Sequence, residues 1–365
     1  MKFVANKTDI VDAAASVATV VPRSPSIQLL GNILIEARGD RVYLTGSDME
    51  TWVRISIPAS VEEEGETTVT SRIFADLISS LPGESVDISM IDSGQINITS
   101  GGSHSNLNCV SSNEYPRIPE ISTGDSITID RDSLLDIVGK VTPSISERME
   151  DKRELLGALV TIADGELKLV ATDGQRLAIC KEPVGGGANV EAIVAGTVWR
   201  NLSKLIGSGE SNDVDLVFTS TQIGFTSGNI ELVSRLIDGD FPPYKQVIPS
   251  SFEQKVIMES SEFLDALHRV NIIARQGSRK VILSISEGQL ICRSIAPELG
   301  EVEEKLEAET GPGEMELSFD IKKLMDGLKC ADSPKIQMNL VGPLHPVLIH
   351  PDGSDSFMYI LVTQR

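Results

Sequence analysis

The residues of this 365-residue chain best suited to acid–base, metal or thiol chemistry are four histidines and four cysteines, and their spacing limits what they can do. His345 and His350 lie five apart in an extended, proline-bearing stretch, which predicts opposite faces of a strand and no shared metal. His104 and His268 have no nucleophile or carboxylate at a useful spacing. Cys109, Cys180, Cys292 and Cys330 are far apart and form no Cys-x-x-Cys pair, so buried, reduced thiols are expected and disulfides or zinc are not. Gly185-Gly186-Gly187 follows Pro183 and lacks the Lys-Ser/Thr of a phosphate loop; it reads as a flexible connection. Glu301, Glu303, Glu304, Glu307 and Glu309 have no basic residue among them but Lys305, a pattern for a solvated edge strand or loop. No nucleophile, base and oxyanion donor come together. The chain is expected to be no enzyme and to need no cofactor or metal.

Chemistry of recognition remains, and it depends on the elements that carry it. In Ala171-Thr172-Asp173-Gly174-Gln175-Arg176-Leu177-Ala178, the pair Asp173-Gly174 predicts a tight turn between two strands, because glycine admits the positive φ that such turns need. Hydrophobic residues make up 41% of the chain and aromatics only 4%, so the cores are expected to be Ile, Leu and Val. The N-terminal residues enter a strand pattern without an apolar signal core, and no apolar run approaches the ~20 residues of a membrane span. A soluble, intracellular protein of two or three domains is expected.

Three segments align without gaps: Phe3 to Ala13, Ile127 to Ile137, and Val256 to Ala266, with Asp12, Asp136 and Asp265 coinciding. Each reads as a short strand, a capping cluster and the start of an amphipathic helix. A second trio, Val69 to Leu77, Val194 to Leu202 and Leu317 to Met325, repeats the pattern with matched apolar pairs four apart. The predicted fold is α+β, with three repeated domains, each a doubled strand-helix-strands unit. The expected boundaries are 1–124, 125–252 and 253–365, with linkers near Ile118 to Gly124 and Ile248 to Ser251. The interval is too long for a solenoid repeat of about 20–50 residues. Formal net charge is −21, yet the six helix windows 7–20, 71–81, 130–146, 197–207, 260–276 and 320–331 hold 11 basic and 10 acidic residues. The acidic excess therefore lies outside the helices; either their surfaces are simply mixed-charge, or they line a face that tolerates phosphate.

The segment Ala171 to Ala178 resembles the ATDGHRLA run of the bacterial DNA polymerase III beta subunits, the sliding clamps. The run Ser234-Arg235-Leu236-Ile237-Asp238-Gly239-Asp240-Phe241-Pro242-Pro243-Tyr244 is similar to that family's SKLIDGKFPDY. Leu30 to Leu34 and Leu44 to Glu50 keep the same register, so the resemblance covers essentially the whole chain. It implies a head-to-tail homodimer closing a six-domain ring of DNA-clamp domains with twelve inner helices, a processivity factor that encircles duplex DNA without sequence preference. Implied partners are the DNA polymerase III alpha subunit, the clamp-loader delta subunit, and other polymerases and repair proteins carrying clamp-binding peptides. The implied setting is the cytoplasm and the replicating nucleoid, with no membrane.

Carried over residue by residue, the resemblance implies a peptide-docking pocket of Leu155, Thr172, Gly174, Gln175, Arg176, Leu177, Pro242, Val247, Pro346, Ile360 and Val362. Its apolar members would form a cleft for Leu or Phe anchors, while Gln175 and Arg176 meet peptide carbonyls. DNA-facing cations would be Arg23, Arg72, Lys140, Arg148, Arg200, Lys204, Lys322, Lys323 and Lys329, and the dimer seam would hold Leu107, Ile272 and Ile273. Three departures are local. The chain ends Tyr359-Ile360-Leu361-Val362-Thr363-Gln364-Arg365 rather than in a Met-Pro-Met/Val-Arg type run, which predicts an altered peptide preference. Arg153-Glu154 replaces a Tyr pair of some members, and Ser103-His104-Ser105 stands where basic residues are common. Two other classes compete with the clamp: a peptide-binding adaptor of clamp-like build that never encircles DNA, and, more weakly, an enzyme with a dispersed site.

Overall fold

The computed structural model describes residues 1–92, 94–121, 123–148, 150–207 and 211–364. Ser122 of the first expected linker and Arg365 lie outside the described residues. Among the described residues there are six α-helices, one at each predicted position: α1 (Lys7–Val17), α2 (Ser71–Ser80), α3 (Arg131–Val141), α4 (Gly196–Ile206), α5 (Ser260–Ala274) and α6 (Ile321–Ala331). A strand runs directly into each helix, from Lys2–Asn6 before α1 to Met315–Asp320 before α6. Polar residues cap α1, α3 and α6, whereas Thr70 before α2 and Glu259 before α5, where the sequence predicts a capping cluster, make no side-chain cap bond. Asn6 accepts from the Thr8 N–H at 2.8 Å, Asp130 from that of Ser133 at 2.9 Å, and Asp320 from that of Lys323 at 3.0 Å. Apolar residues at helical spacing, such as Ile10, Ala13, Ala14 and Val17, are buried beneath α1. Two helices stop three or more residues short of their predicted windows. α1 ends at Val17, and α3 ends at Val141, where Pro143 lacks the N–H to continue it and a 3-10 turn, Thr142–Ser144, follows.

The chain divides into two compact units that do not follow the three repeats. The first unit comprises Met1–Leu134 and Thr197–Leu236. It holds a 12-stranded sheet in the order Lys2–Asn6, Ser85–Asp92, Gln95–Ser100, Ser103–Val110, Gly65–Thr70, Asn32–Arg38, Arg41–Ser47, Thr51–Glu63, Ile230–Arg235, Gln222–Ser227, Asp213–Phe218, Asp125–Asp130. Strands of the first and middle repeats join where Thr51–Glu63 pairs antiparallel with Ile230–Arg235, Leu232 opposite Val53. The Trp199 ring of α4 is buried edge-on to Phe225, with centroids 5.7 Å apart.

The second unit comprises Leu135–Gly196 and Ile237–Arg365. Its 9-stranded sheet runs Val190–Ala195, Gly157–Ala163, Glu166–Thr172, Arg176–Pro183, Phe357–Leu361, Val347–Pro351, Lys335–Leu340, Gln254–Glu259, Glu309–Thr310. A 4-stranded sheet, Gly300–Glu307, Gln289–Ala296, Lys280–Ser286, Met315–Asp320, completes it. The glutamate run falls mainly on Gly300–Glu307, an edge strand of that sheet, as its pattern predicts. It is not wholly solvated, because Glu304 pairs with Arg269 of α5 at 2.7 Å.

Two expectations are corrected. Of His345 and His350, only His350 sits on a strand; its Nε2 lies 3.0 Å from the Asn339 amide and its Nδ1 2.8 Å from the Pro351 carbonyl, while His345 lies in the bend before Val347–Pro351. All four cysteines are free, but Cys330 is only half-buried. Burial pushes the thiols of Cys180 and Cys292 up to about 12 and that of Cys330 to about 11, so all three are protonated at neutral pH. No helix of the described residues is long and apolar enough to cross a membrane.

One glycine is set by a close approach. The Tyr359 ring is fully buried against α6 at Gly327, where an added Cβ would lie 2.4 Å from two ring carbons. The Tyr359 hydroxyl donates to the Lys323 carbonyl at 2.8 Å, holding the ring on the helix. Alanine would ordinarily strengthen a helix interior by roughly 0.5–1 kcal/mol over glycine. Gly327→Ala should instead destabilise the chain by about 1–3 kcal/mol through overpacking. Urea unfolding measures this, and an unchanged or higher midpoint would refute the packing account.

Candidate functional site

In the second unit, the strand Glu166–Thr172 turns through Asp173, Gly174 and Gln175 into the strand Arg176–Pro183. Gly174 takes φ +81°, the left-handed conformation that the sequence predicts for this turn. Asp173 Oδ1 accepts from the N–H groups of Gln175 (2.9 Å) and Arg176 (3.0 Å), and Thr172 Oγ1 accepts from that of Gly174 (3.0 Å). The turn is thereby folded by its own side chains.

Cations then fix it to α6. Lys323 Nζ lies 3.1 Å from Asp173 Oδ2 and also donates to Gln175 Oε1. Arg176 Nε reaches Asp173 Oδ2 at 3.1 Å, and its guanidinium reaches Asp326 Oδ2 at 2.8 Å. Burial works to raise the Asp173 carboxyl, but the Gln175 N–H, Lys323 and Arg176 together hold it below the ordinary carboxylate range. Burial likewise opposes the charge on Arg176, and the Tyr359 hydroxyl, Asp326 and Asp173 outweigh it, so the guanidinium stays charged. The chain's last described residues meet this turn and the strand that leads into α6. The Val362 N–H donates to the Gln175 carbonyl at 3.0 Å, and the Gln364 N–H to the Ser318 carbonyl at 2.7 Å.

Beside the turn, Arg176–Pro183 pairs antiparallel with Phe357–Leu361, Leu177 opposite Ile360, and Ile360 is in turn opposite Leu348 of the next strand. Leu177 and Ile360 belong to one buried apolar cluster with Leu159, Val170, Ile179, Ile193 and Leu348. Ile237, Phe241, Tyr244, Ile248 and Met358 pack partly buried against it, and Phe241 meets Tyr244 edge-on with centroids 6.3 Å apart. Apolar side chains nearby in the chain are unusually open: Val247 is 50% exposed, Val362 44% and Leu344 66%. Leu155, Pro242 and Pro346 are half-buried, on the 3-10 turn Arg153–Leu156, in the segment before Tyr244–Val247, and before Val347–Pro351 respectively. The arrangement is an apolar floor beside a charged, hydrogen-bonded turn, suited to hold a short apolar segment and orient it by polar contacts.

Two of the predicted roles change. The sequence places Arg176 against a peptide's carbonyls; in the structure its guanidinium is turned inward to Asp173 and Asp326, with 12% of the side chain exposed. The sequence also places Lys323 toward DNA, but its side chain is only 16% exposed and is committed to Asp173 and Gln175. Leu177 and Ile360 lie in the floor itself, 3% and 2% exposed. Phe241, Tyr244 and Met358 are absent from the predicted set. Met358 was accessible to period-two alternation, since Met358, Ile360 and Val362 share one strand face.

The remaining cations are scattered over helices and loops. In the first unit Arg72 lies on α2, 92% exposed and 3.8 Å from Asp76; Arg200 and Lys204 are exposed on α4, and Arg23 is exposed in a loop. In the second unit Lys322 and Lys329 are exposed on α6, Arg148 is exposed in a loop, and Lys140 of α3 bonds Asp136 at 2.6 Å. Lys140, Lys329 and the half-buried Cys330 line a cleft of about 440 Å³ with Asp136, Asp326 and Asp332. Ile272 is 57% exposed on α5 beside the half-buried Ile273, and Leu107 is half-buried on Ser103–Val110.

This geometry has close counterparts. Models of the N-terminal, central and C-terminal domains of the DNA polymerase III beta subunit match residues 1–119, 128–243 and 245–365. The beta sliding clamp of Staphylococcus aureus is 32% identical over 359 residues, covering 95% of this chain and 94% of that protein. The chain belongs to the DNA polymerase III beta subunit family. The crystal structure of the DNA polymerase sliding clamp from Bacillus subtilis superposes with a TM-score of 0.96 at 28% identity, covering 100% of this chain and 99% of that one. The DNA polymerase III subunit beta of Pseudomonas aeruginosa does so with a TM-score of 0.93 at 26% identity, with 100% of both chains covered. Like other beta subunits, this chain is a non-catalytic accessory subunit of three domains.

The Asp173 network has a pH signature. Because the folded carboxyl is depressed below the ordinary 3.8, its stabilisation is complete above that value and is lost as pH falls through the lower folded value. Asp173→Asn should therefore unfold earlier than the parent at neutral pH, and the gap should begin to narrow below 3.8 and close only below the lower folded value. Thermal unfolding across that range tests it; a gap independent of pH would assign the loss to packing instead.

Proposed function

We propose that this beta-family chain works as a DNA sliding clamp: a head-to-tail homodimer whose six domains close round duplex DNA and tether DNA polymerase III. The three domains per chain are assigned to 1–124, 125–252 and 253–365. The reading is carried by one observation above all. In a chain of this family, an apolar floor around Leu177 and Ile360 adjoins open Val247 and Val362 at a turn locked in place. Such a floor takes the Leu or Phe anchors of a polymerase or clamp-loader tail, with Leu155, Thr172, Gly174, Gln175, Pro242 and Pro346 around it. Exposed Arg72, Arg200, Lys204, Lys322 and Lys329 on helices, with Arg23 and Arg148 on loops, offer weak, sequence-blind contacts to phosphate. The acidic remainder of a chain of net charge −21 keeps DNA from adhering elsewhere. Processivity then comes from topology, in the cytoplasm at the replicating nucleoid.

Retention on DNA tests the topology. Loaded on nicked circular DNA, the protein should stay bound until the circle is cut and then leave by the ends. Equal loss from circles and linear fragments would favour a clamp-like adaptor that never encircles DNA. Assembly is tested by light scattering, where a dimer of this 39.3 kDa chain is expected. Burying Ile272 and Ile273 at the seam with Leu107 contributes roughly 1.5–3 kcal/mol per isoleucine. Ile272→Ala with Ile273→Ala should therefore raise the monomer fraction, and a parent protein that is monomeric at micromolar concentration would exclude the closed ring.

A further inference from the structure

Lys322 and Lys323 are consecutive on α6, yet Lys322 is exposed and the Lys323 side chain is only 16% so. A lysine withdrawn from water needs compensation, and its partners say what it does. Both are on the docking turn: the Asp173 carboxylate at 3.1 Å and the Gln175 side-chain carbonyl. Neither belongs to its own helix or domain repeat. The helix end of this contact is itself held, since the Lys323 N–H is capped by Asp320 at 3.0 Å and its carbonyl accepts from Tyr359 at 2.8 Å. The turn end is less secure. Asp173 keeps Arg176 as a second cation, but Gln175 is exposed and its side chain is aimed by Lys323.

We infer that Lys323 is a positioning residue of the docking pocket: from α6, its ammonium latches the 173–175 turn and presents Gln175 to the incoming peptide. This rests on the docking reading above. The residue acts through Gln175 and Asp173 rather than by contact with the floor, and pre-ordering them spares the peptide the entropy of doing so. The latch needs a cation of suitable reach, so arginine should serve where methionine, equal in stem length but uncharged, does not.

The test measures binding of a fluorescent peptide with Leu and Phe anchors to the full chain, alongside amide hydrogen exchange at residues 172–177. Lys323→Met should weaken binding by about three- to tenfold, a range fitting a partly buried ion pair, and speed exchange at Gly174 and Gln175. Lys323→Arg should restore both to near the parent values. If Lys323→Met is too unstable to titrate, slower-than-parent or parent-like exchange at Gly174 and Gln175 in the arginine variant supports the latch, and exchange accelerated there overturns it. A methionine variant that binds and exchanges as the parent does overturns the latch while leaving the docking reading intact. A parent chain that binds no such peptide removes both.

Discussion

The antiparallel pairing of Arg176–Pro183 with Phe357–Leu361 is the constraint on which the candidate site depends. It joins a strand of the middle repeat to one of the last, and it sets Leu177 opposite Ile360 with Leu348 beyond. Each fully buried aliphatic side chain in that row contributes roughly 1.5–3 kcal/mol relative to exposure, so the floor and the sheet are stabilised by the same atoms. The register has further effects. It brings Val362 onto the Gln175 carbonyl and seats Tyr359 against α6, which in turn admits only glycine at position 327 without strain.

The charges around Asp173 do a different job from the apolar row. Partly buried ion pairs gain Coulomb energy and lose hydration, and the two nearly balance, so they are a weak source of stability. Their strength is direction. Asp173 is met by two backbone N–H groups, a guanidinium and an ammonium, each fixing one degree of freedom of a turn that contains a left-handed glycine. The outcome is a short loop with little left to settle when a ligand arrives.

Much of this is legible in the sequence because the chain repeats itself. One strand-helix junction in isolation is ambiguous; six, with coincident Asp12, Asp136 and Asp265, agree on the helix positions. The turn at Gly174 follows from backbone sterics alone. What escapes is long-range. No local pattern says that strands of neighbouring repeats will merge, as they do between Thr51–Glu63 and Ile230–Arg235. A lysine beside another lysine on a helix reads as solvated, so the inward course of Lys323 is invisible without the carboxylate it meets from about 150 positions earlier. Arg176 escapes for the same reason, its partner Asp326 being equally remote.

The order of strands in the 9-stranded sheet also carries a consequence for biosynthesis. Phe357–Leu361 lies in its middle, between Arg176–Pro183 and Val347–Pro351, yet it leaves the ribosome after every other strand of that sheet. Until it arrives, both flanking strands hold bare edges, and such edges invite pairing with other chains. A product broken off before residue 357 therefore lacks the Ile360 half of the apolar floor and keeps an open, adhesive sheet. Such a fragment has only half of the candidate site, and its exposed edges make it prone to aggregate.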